Sequence, residues 1–300
     1  MRPESEAELA ETIAAADGPL RIEGGGTRPV GRPVAGTRLS AAGLCGIVDY
    51  APGALTLIVR AGTPVDEVEA ALAAEHQRLP FEPMDHRPVL GRDRTPTIGG
   101  VVAGNVSGPR RVAVGACRDF VLGVRFVDGA GRILKNGGRV MKNVTGYDLV
   151  RLMAGSRGTL GVLSEVALKV LPAPEAVTTL TVHDIAPEAA ITAMTRAITS
   201  PFEVTGAAHV PGAAPRVHLR VEGFEGSVAY RAGRLRALLG ELGEITVETG
   251  AAENAALWRG IRDVEPLQGA YALWSVSMVP SAVYAGLLPL LAREARCDTM

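Results

Sequence analysis

Three glycines in a row, Gly24-Gly25-Gly26, follow a short apolar run and lead into Thr27, Arg28 and Pro29. Each glycine costs roughly 0.5–1 kcal/mol relative to alanine in regular structure. Such a stretch is either a loop forced into unusual dihedrals or a backbone that something must approach closely. Successive glycine amides can curl into a nest that binds an anion, with the Thr27 hydroxyl and the Arg28 charge beside it. A diphosphate suits that site, and a plain surface turn has the same composition. The stretch is not the G-x-G-x-x-G dinucleotide fingerprint, because Pro29 stands at its sixth position, and no run fits the P-loop pattern. Two further glycine-rich runs lie downstream, Thr97–Gly108 and Gly155–Val162. Small residues there let main chain lie against a ring or a phosphate, or let a helix pack tightly on a sheet. Three such loops point to one large ligand wrapped from several sides.

The elements between these loops are legible from local signals. Ser5-Glu6-Ala7-Glu8 is a capping box, and Gly18 suits the end of the helix that follows. Leu20–Glu23, Ile47–Tyr50 and Leu55–Arg60 read as strands. Thr63 caps a helix that opens on Pro64 and buries Val65, Val68 and Leu72. Thr97 caps a short helix over 98–104. Leu122–Val127 and Arg132–Leu134 form a hairpin around Asp128-Gly129. Tyr147–Ala154 reads as helix, and Val162–Leu171 alternates as a strand. Pro172 and Pro174 then mark a boundary between residues 1–172 and 173–300. The second part runs strand 177–183, helix 188–199, strands 204–210 and 217–222, helix 227–239 and strand 245–248, the β-α-β-β-α-β order of a ferredoxin-like module. A helix at 252–261, a strand at 273–279 and a helix at 282–294 follow.

Composition removes several functions. The formal net charge of −1 and the 4% aromatic content give no footprint for nucleic acid. The acidic N-terminus lacks an apolar signal core, and no apolar run is long enough to cross a membrane, so a cytoplasmic protein is expected. Cys45, Cys117 and Cys297 are scattered, which argues for reduced thiols and against a zinc or iron–sulfur site in this chain. Without a signal peptide, the sequons at Asn105 and Asn143 carry no weight.

Longer stretches carry a resemblance. Leu79–Met84 (LPFEPM), Gly108–Arg111 (GPRR), Arg118–Gly123 (RDFVLG), Val140–Leu149 (VMKNVTGYDL) and the run GSRGTLGVLSEVALKVLP within Arg151–Pro172 occur in the order and spacing of the vanillyl-alcohol-oxidase, or p-cresol-methylhydroxylase, type of FAD-binding protein. The chain resembles that family over residues 1–172, and within it looks most like the E-type FAD-binding subunits of glycolate oxidases. The resemblance implies an α+β chain: a two-subdomain FAD-binding fold of the p-cresol-methylhydroxylase type, then a ferredoxin-like cap or partner domain. It also implies a glycine-containing C-terminal segment that this chain, ending after a helix, does not display. Carried over by position, Gly24, Gly25, Gly26 and Thr27 would hold the FAD diphosphate. Thr97, Gly99, Gly100, Asn105, Ser107 and Gly108 would lie along the flavin and ribityl portion, and Gly161 and Val162 would offer backbone contacts to one end. Covalent members attach flavin through a histidine near the glycine turn. Here Thr27 stands after the glycines, so dissociable FAD is expected.

The activity implied is oxidation of glycolate to glyoxylate in a complex. A second FAD-bearing subunit would take the hydride, and an iron–sulfur subunit would pass the electrons on, with any membrane contact made through partners. A free-standing FAD-dependent oxidoreductase for a 2-hydroxy acid or alcohol, or an assembly subunit with structural FAD, would need the same glycine loops. No residue stands out as the catalyst. His86, in Pro83–Arg87, reads first as a loop residue. His76, His183, His209 and His218 read as structural. Arg110-Arg111 could clamp a carboxylate or pair with phosphates or acids. Tyr147, Asp148 and Lys142 are open.

Overall fold

The computed structural model of the protein describes residues 1–30, 35–139, 146–270, 272–283 and 286. Two compact units emerge: Met1–Gly108 with Gly115–Ala173, and Pro109–Val114 with the chain from Pro174 onward.

The first unit begins with helix α1 (Glu6–Ala14), which buries Leu9 and Ile13. Ser5 Oγ accepts from the Glu8 amide at 3.1 Å, as expected. The Glu8 carboxylate accepts instead from the Glu4 amide at 2.8 Å, so the reciprocal half of the box is displaced by one residue. Strand β1 (Leu20–Glu23) pairs in parallel with β2 (Thr37–Ser40). Strand β3 (Ile47–Ala51) turns over Pro52–Ala54, with Leu55 left-handed at φ 51°, into β4 (Thr56–Arg60). Helix α2 (Val65–Ala74) buries Val65, Val68 and Leu72. Its N-cap position is Pro64, not Thr63. The Thr63 hydroxyl is used one turn earlier: it donates to the Arg60 carbonyl at 2.8 Å and accepts from the Gly46 amide at 2.9 Å, closing the bend out of β4.

Short strand β5 (Gln77–Arg78) and helix α3 (Arg87–Leu90) precede α4 (Ile98–Gly104), whose N-cap is Thr97. Helix α5 (Arg111–Val114) belongs to the second unit. Strands β6 (Val121–Val127) and β7 (Ile133–Gly137) form the hairpin, with Asp128 Oδ1 accepting from the amides of Ala130 and Arg132. Asp148 caps α6 (Leu149–Met153) through the Arg151 amide at 3.0 Å. Strand β8 (Val162–Lys169) and short β9 (Leu171–Pro172) complete the unit. The main sheet is antiparallel in the order β3-β4-β8-β6-β7. Central β8 is covered on both faces: Val166 and Leu168 are fully buried, and Ala167 packs with Ile58 and Leu122.

The second unit contains β10 (Ala176–His183), α7 (Pro187–Ile198), β11 (Gly206–Val210), β12 (Arg216–Gly223), α8 (Glu225–Leu239), β13 (Ile245–Glu248) and α9 (Ala251–Arg262). Its antiparallel sheet runs β11-β12-β10-β13, the ferredoxin-like order. Leu180, Val182, Val217, Leu219, Val221 and Ile245 form one apolar face under α7 and α8. The alternate residues of β12 are polar. Arg220 and Glu222 are buried there, and α9 brings Trp258 and Asn254 to Thr179 on β10. The strand expected at 273–279 does not form. Residues 272–279 carry no regular structure, and Trp274 is 85% exposed. The alternation is present, but a strand needs a neighbour to satisfy its amides, and no described strand pairs with it. Helix α10 (Pro280–Ala282) meets the helix expected at 282–294 only at Ala282, and most of that expected helix lies outside the described residues.

Candidate cofactor site

The loop after β1 lies against the segment that leads into α4. A Cβ on Gly24 would sit 2.4 Å from Thr97 Oγ1, and one on Gly25 would sit 1.7 Å from the Thr95 carbonyl oxygen. Gly26 has φ +70°. Gly25 is therefore required by the Thr95 main chain, Gly24 by the Thr97 hydroxyl and Gly26 by its dihedral, whatever the loop binds. Gly99 is similar: its amide donates to the Ala61 carbonyl at 2.7 Å, and a Cβ would meet Ala61 at 2.6 Å. Gly100 differs. It is exposed, and a Cβ there would meet only Thr97 Oγ1, at 3.3 Å.

The third glycine run closes on the same place. The Gly155 amide donates to the Val102 carbonyl and the Arg157 amide to the Ala103 carbonyl, tying this loop to the end of α4. Arg157 is left-handed at φ +53°, an uncommon state for a residue with a Cβ. The three runs enclose a cavity of about 790 Å³, within the span of roughly 300–1,000 Å³ usual for small-molecule sites.

Of the expected contact residues, Gly24, Gly25, Gly26, Thr27, Thr97, Gly99, Gly100, Gly161 and Val162 line this cavity. Asn105, Ser107 and Gly108 do not. Asn105 Oδ1 accepts from the Arg118 amide and Ser107 Oγ from the Cys117 amide, both at 2.9 Å, while the Gly108 amide donates to the Phe81 carbonyl at 2.8 Å. These groups bind loop to loop. The amides of Gly25, Gly26 and Thr27 donate to no other described group.

Sequence reasoning missed most of the cavity's charge. Arg21, Arg28, Arg92, Arg94 and Arg157 line it, against the single carboxylate of Glu23. Glu23 is shared by Arg21, Arg38 and Arg94. Arg28 Nη1 donates to the Gly104 carbonyl at 3.2 Å, while its Nε is buried without a partner. Burial and the nearby Arg157 charge pull the Arg28 pKa below its usual value. No local pattern marked these arginines, apart from the adjacency of Arg28 and Arg157 to glycines. His86 also lines the cavity. Arg110 lies in the second unit on Glu222, Asp148 serves as a helix cap, and Tyr147 is 86% exposed. Lys142 lies outside the described residues. His218 is buried against Thr181, and burial lowers its pKa to about 4. Burial pushes the Cys117 thiol pKa up, which disfavours the thiolate. Among the described residues no cluster fits a metal ion.

Free main-chain amides, surplus guanidinium charge and an orphaned buried donor form an anion site inside a long cleft. Residues 1–137 match the family described as FAD binding domain. FAD fits what the cavity offers: phosphates for the amides and arginines, and flat rings for the bare main chain at Gly100.

Related proteins extend the match. The chain is 44% identical over 211 residues to glycolate oxidase subunit GlcE of Escherichia coli, covering 70% of this chain and 57% of that protein. It is 48% identical over 84 residues to a D-lactate dehydrogenase of Anaerostipes hadrus, covering 28% of this chain and 18% of that one. A solved alkyldihydroxyacetonephosphate synthase shares the fold, with TM-score 0.70 and 18% identity over 86% of this chain and 53% of that one. The chain thus spans little more than half the length of the GlcE subunit and the solved synthase. No helix among the described residues is long and apolar enough to cross a membrane.

Proposed function

We propose that this chain is the FAD-binding subunit of a complex that oxidises glycolate to glyoxylate. The observation that carries the reading is the glycine-lined, arginine-rich cavity in a chain 44% identical to a glycolate oxidase subunit. FAD, when bound, supplies a two-electron acceptor. The chain's part is to hold and orient it. The amides of Gly25, Gly26 and Thr27 hold phosphate oxygens, Gly100 leaves room for the ring system, and Val162 and Leu163 shield that wall from water. A second FAD-bearing subunit takes the hydride from substrate, and an iron–sulfur subunit receives the electrons.

FAD binding is dissociable in this reading. Thr27 stands after the glycines, where covalent members carry a histidine near the turn. Residues 1–172 form the FAD-binding domain, and the ferredoxin-like part is a cap or partner surface. The complex is cytoplasmic, reaching the inner face of a membrane only through its partners.

The test is purification of the assembly from native extract, with flavin and iron counted and glycolate turnover followed with a dye acceptor. Co-purification of flavin and iron with glycolate activity supports the complex. A second reading, a free-standing 2-hydroxy acid oxidoreductase, draws on the stretch 48% identical to a D-lactate dehydrogenase. Full turnover of glycolate or D-lactate by the isolated chain would establish it instead. A colourless chain that still binds partners would make it an assembly subunit.

A further inference from the structure

The outward face of α8 is built unlike that of a solvated helix. Val228, Arg231, Ala232, Leu235 and Leu239 turn inward. The stripe opposite them is Gly226, Tyr230, Gly233 and Ala237, whose spacing keeps all four on one face. All are exposed and none is charged, and Tyr230 leaves 65% of its surface to solvent. Glycine inside a helix weakens it relative to alanine, yet a Cβ at Gly226 or Gly233 would meet nothing within 4 Å. The packing of a single chain gives no reason for either glycine. A second helix does, because bare positions let two helix axes come close.

Two features say which helix that is. The stripe is balanced about its midpoint: Tyr230 stands opposite Gly233, and Gly226 opposite Ala237. Antiparallel pairing with a copy of itself sets each Tyr230 ring over the second copy's Gly233, with small residues meeting at both ends. The charges agree. Glu225 and Arg236 are exposed on the same flank of the stripe and make no ion pair among the described residues. They lie eleven positions apart, about 16 Å along the helix, too far to pair within one chain. A two-fold axis brings each of them beside its opposite on the second copy, giving two reciprocal pairs.

We infer that the outward face of α8 is a self-association surface, and that its occupant is a second copy of this chain docked antiparallel about a two-fold axis. This surface uses no residue of the cavity, so its test stands apart from the FAD reading. One helix pair buries little area, which makes the dimer reversible. The ion pairs set its register more than its affinity.

The experiment follows the full chain by sedimentation velocity over a concentration series, with Gly233→Leu, Glu225→Arg, Arg236→Glu and the double reversal as variants. The parent is expected to pass from monomer to dimer as concentration rises. Gly233→Leu puts a side chain where the Tyr230 ring must lie. It should weaken dimerisation about tenfold or more, with a melting temperature in dilute solution no lower than the parent's. Each single reversal sets like charges together and should weaken the dimer. The double reversal should restore it, and this set decides the matter if Gly233→Leu fails to fold. A parent that stays monomeric at every concentration, a dimer indifferent to Gly233→Leu, or a double reversal no better than the single ones overturns the inference. So does loss of a different subunit from the native assembly on Gly233→Leu while the isolated chain is monomeric, which would give the face to that subunit.

Discussion

The two units use arginine differently. In the second, Arg110, Arg220 and Arg231 each meet a carboxylate or a carbonyl. Arg110 places Nε and Nη2 on the Glu222 carboxylate at 2.9–3.1 Å. Arg220, 1% exposed, lies 4.2 Å from the centroid of the Trp258 ring and donates to the Thr205 carbonyl. Arg231 donates to the Glu222 carbonyl at 2.8 Å and to Glu203. In the first unit, half-buried Arg28 and exposed Arg157 line the cavity with no paired acid among the described residues. A buried cation that is matched belongs to the fold, whereas accessible cations on a cavity wall are left for a ligand.

The contrast breaks first at Glu222. Its removal strands Arg110 and Arg220 in a site where the carboxylate is 2% exposed. Glu222→Ala is expected to destabilise the second unit by about 3–5 kcal/mol, as for other broken buried pairs. Chemical denaturation followed at Trp258 would show the midpoint fall, and an unchanged midpoint would refute the structural role assigned to the pair.

The next largest effect is pH. Burial lowers the His218 pKa from 6.5 to about 4, with Arg216, His183 and His209 opposing its charge. The unfolded chain therefore binds the proton more readily between those values. The stability this group contributes is complete above pH 6.5 and is lost as pH falls toward 4, up to about 3 kcal/mol. His218→Asn should flatten that slope in denaturation curves taken across the window. An unaltered slope would assign the acid sensitivity elsewhere.

Glycine sharpens the comparison at a smaller scale. Gly25→Ala forces a Cβ against the Thr95 carbonyl, 1.7 Å away, and should lower stability by about 1–3 kcal/mol as well as flavin uptake. Gly100→Ala meets only Thr97 Oγ1 at 3.3 Å and should leave the melting curve alone while weakening FAD. Equal effects in the two variants would erase the distinction between packing glycines and ligand glycines. The smallest effect concerns Arg28→Met without flavin. Its melting temperature should equal or slightly exceed that of the parent, because a repulsion is removed and only one backbone contact is lost.

Local chemistry made much of this readable in advance. Thr97 caps α4 and Asp128 closes its hairpin, since each signal is contained within a few residues. The glycine runs were visible, but not which glycines serve packing, because the atoms that exclude a side chain at Gly25 belong to Thr95. Asn105 and Ser107 sit in the small-residue run and look available, yet their oxygens are taken by the amides of Arg118 and Cys117. Arg110 was open between a ligand clamp and an ion pair until Glu222, more than a hundred positions away, came alongside it. The meeting of Arg28 with Arg157 is hidden for the same reason. The alternation at 273–279 was real, but a strand also depends on a neighbour that its own residues do not encode.

The most direct test of the central claim is titration of FAD into the purified full chain, followed by acid precipitation. The account predicts saturable uptake, with the visible flavin absorbance passing to the supernatant when the protein is precipitated. A chain that takes up no FAD, or one whose flavin stays on the denatured polypeptide, would contradict it.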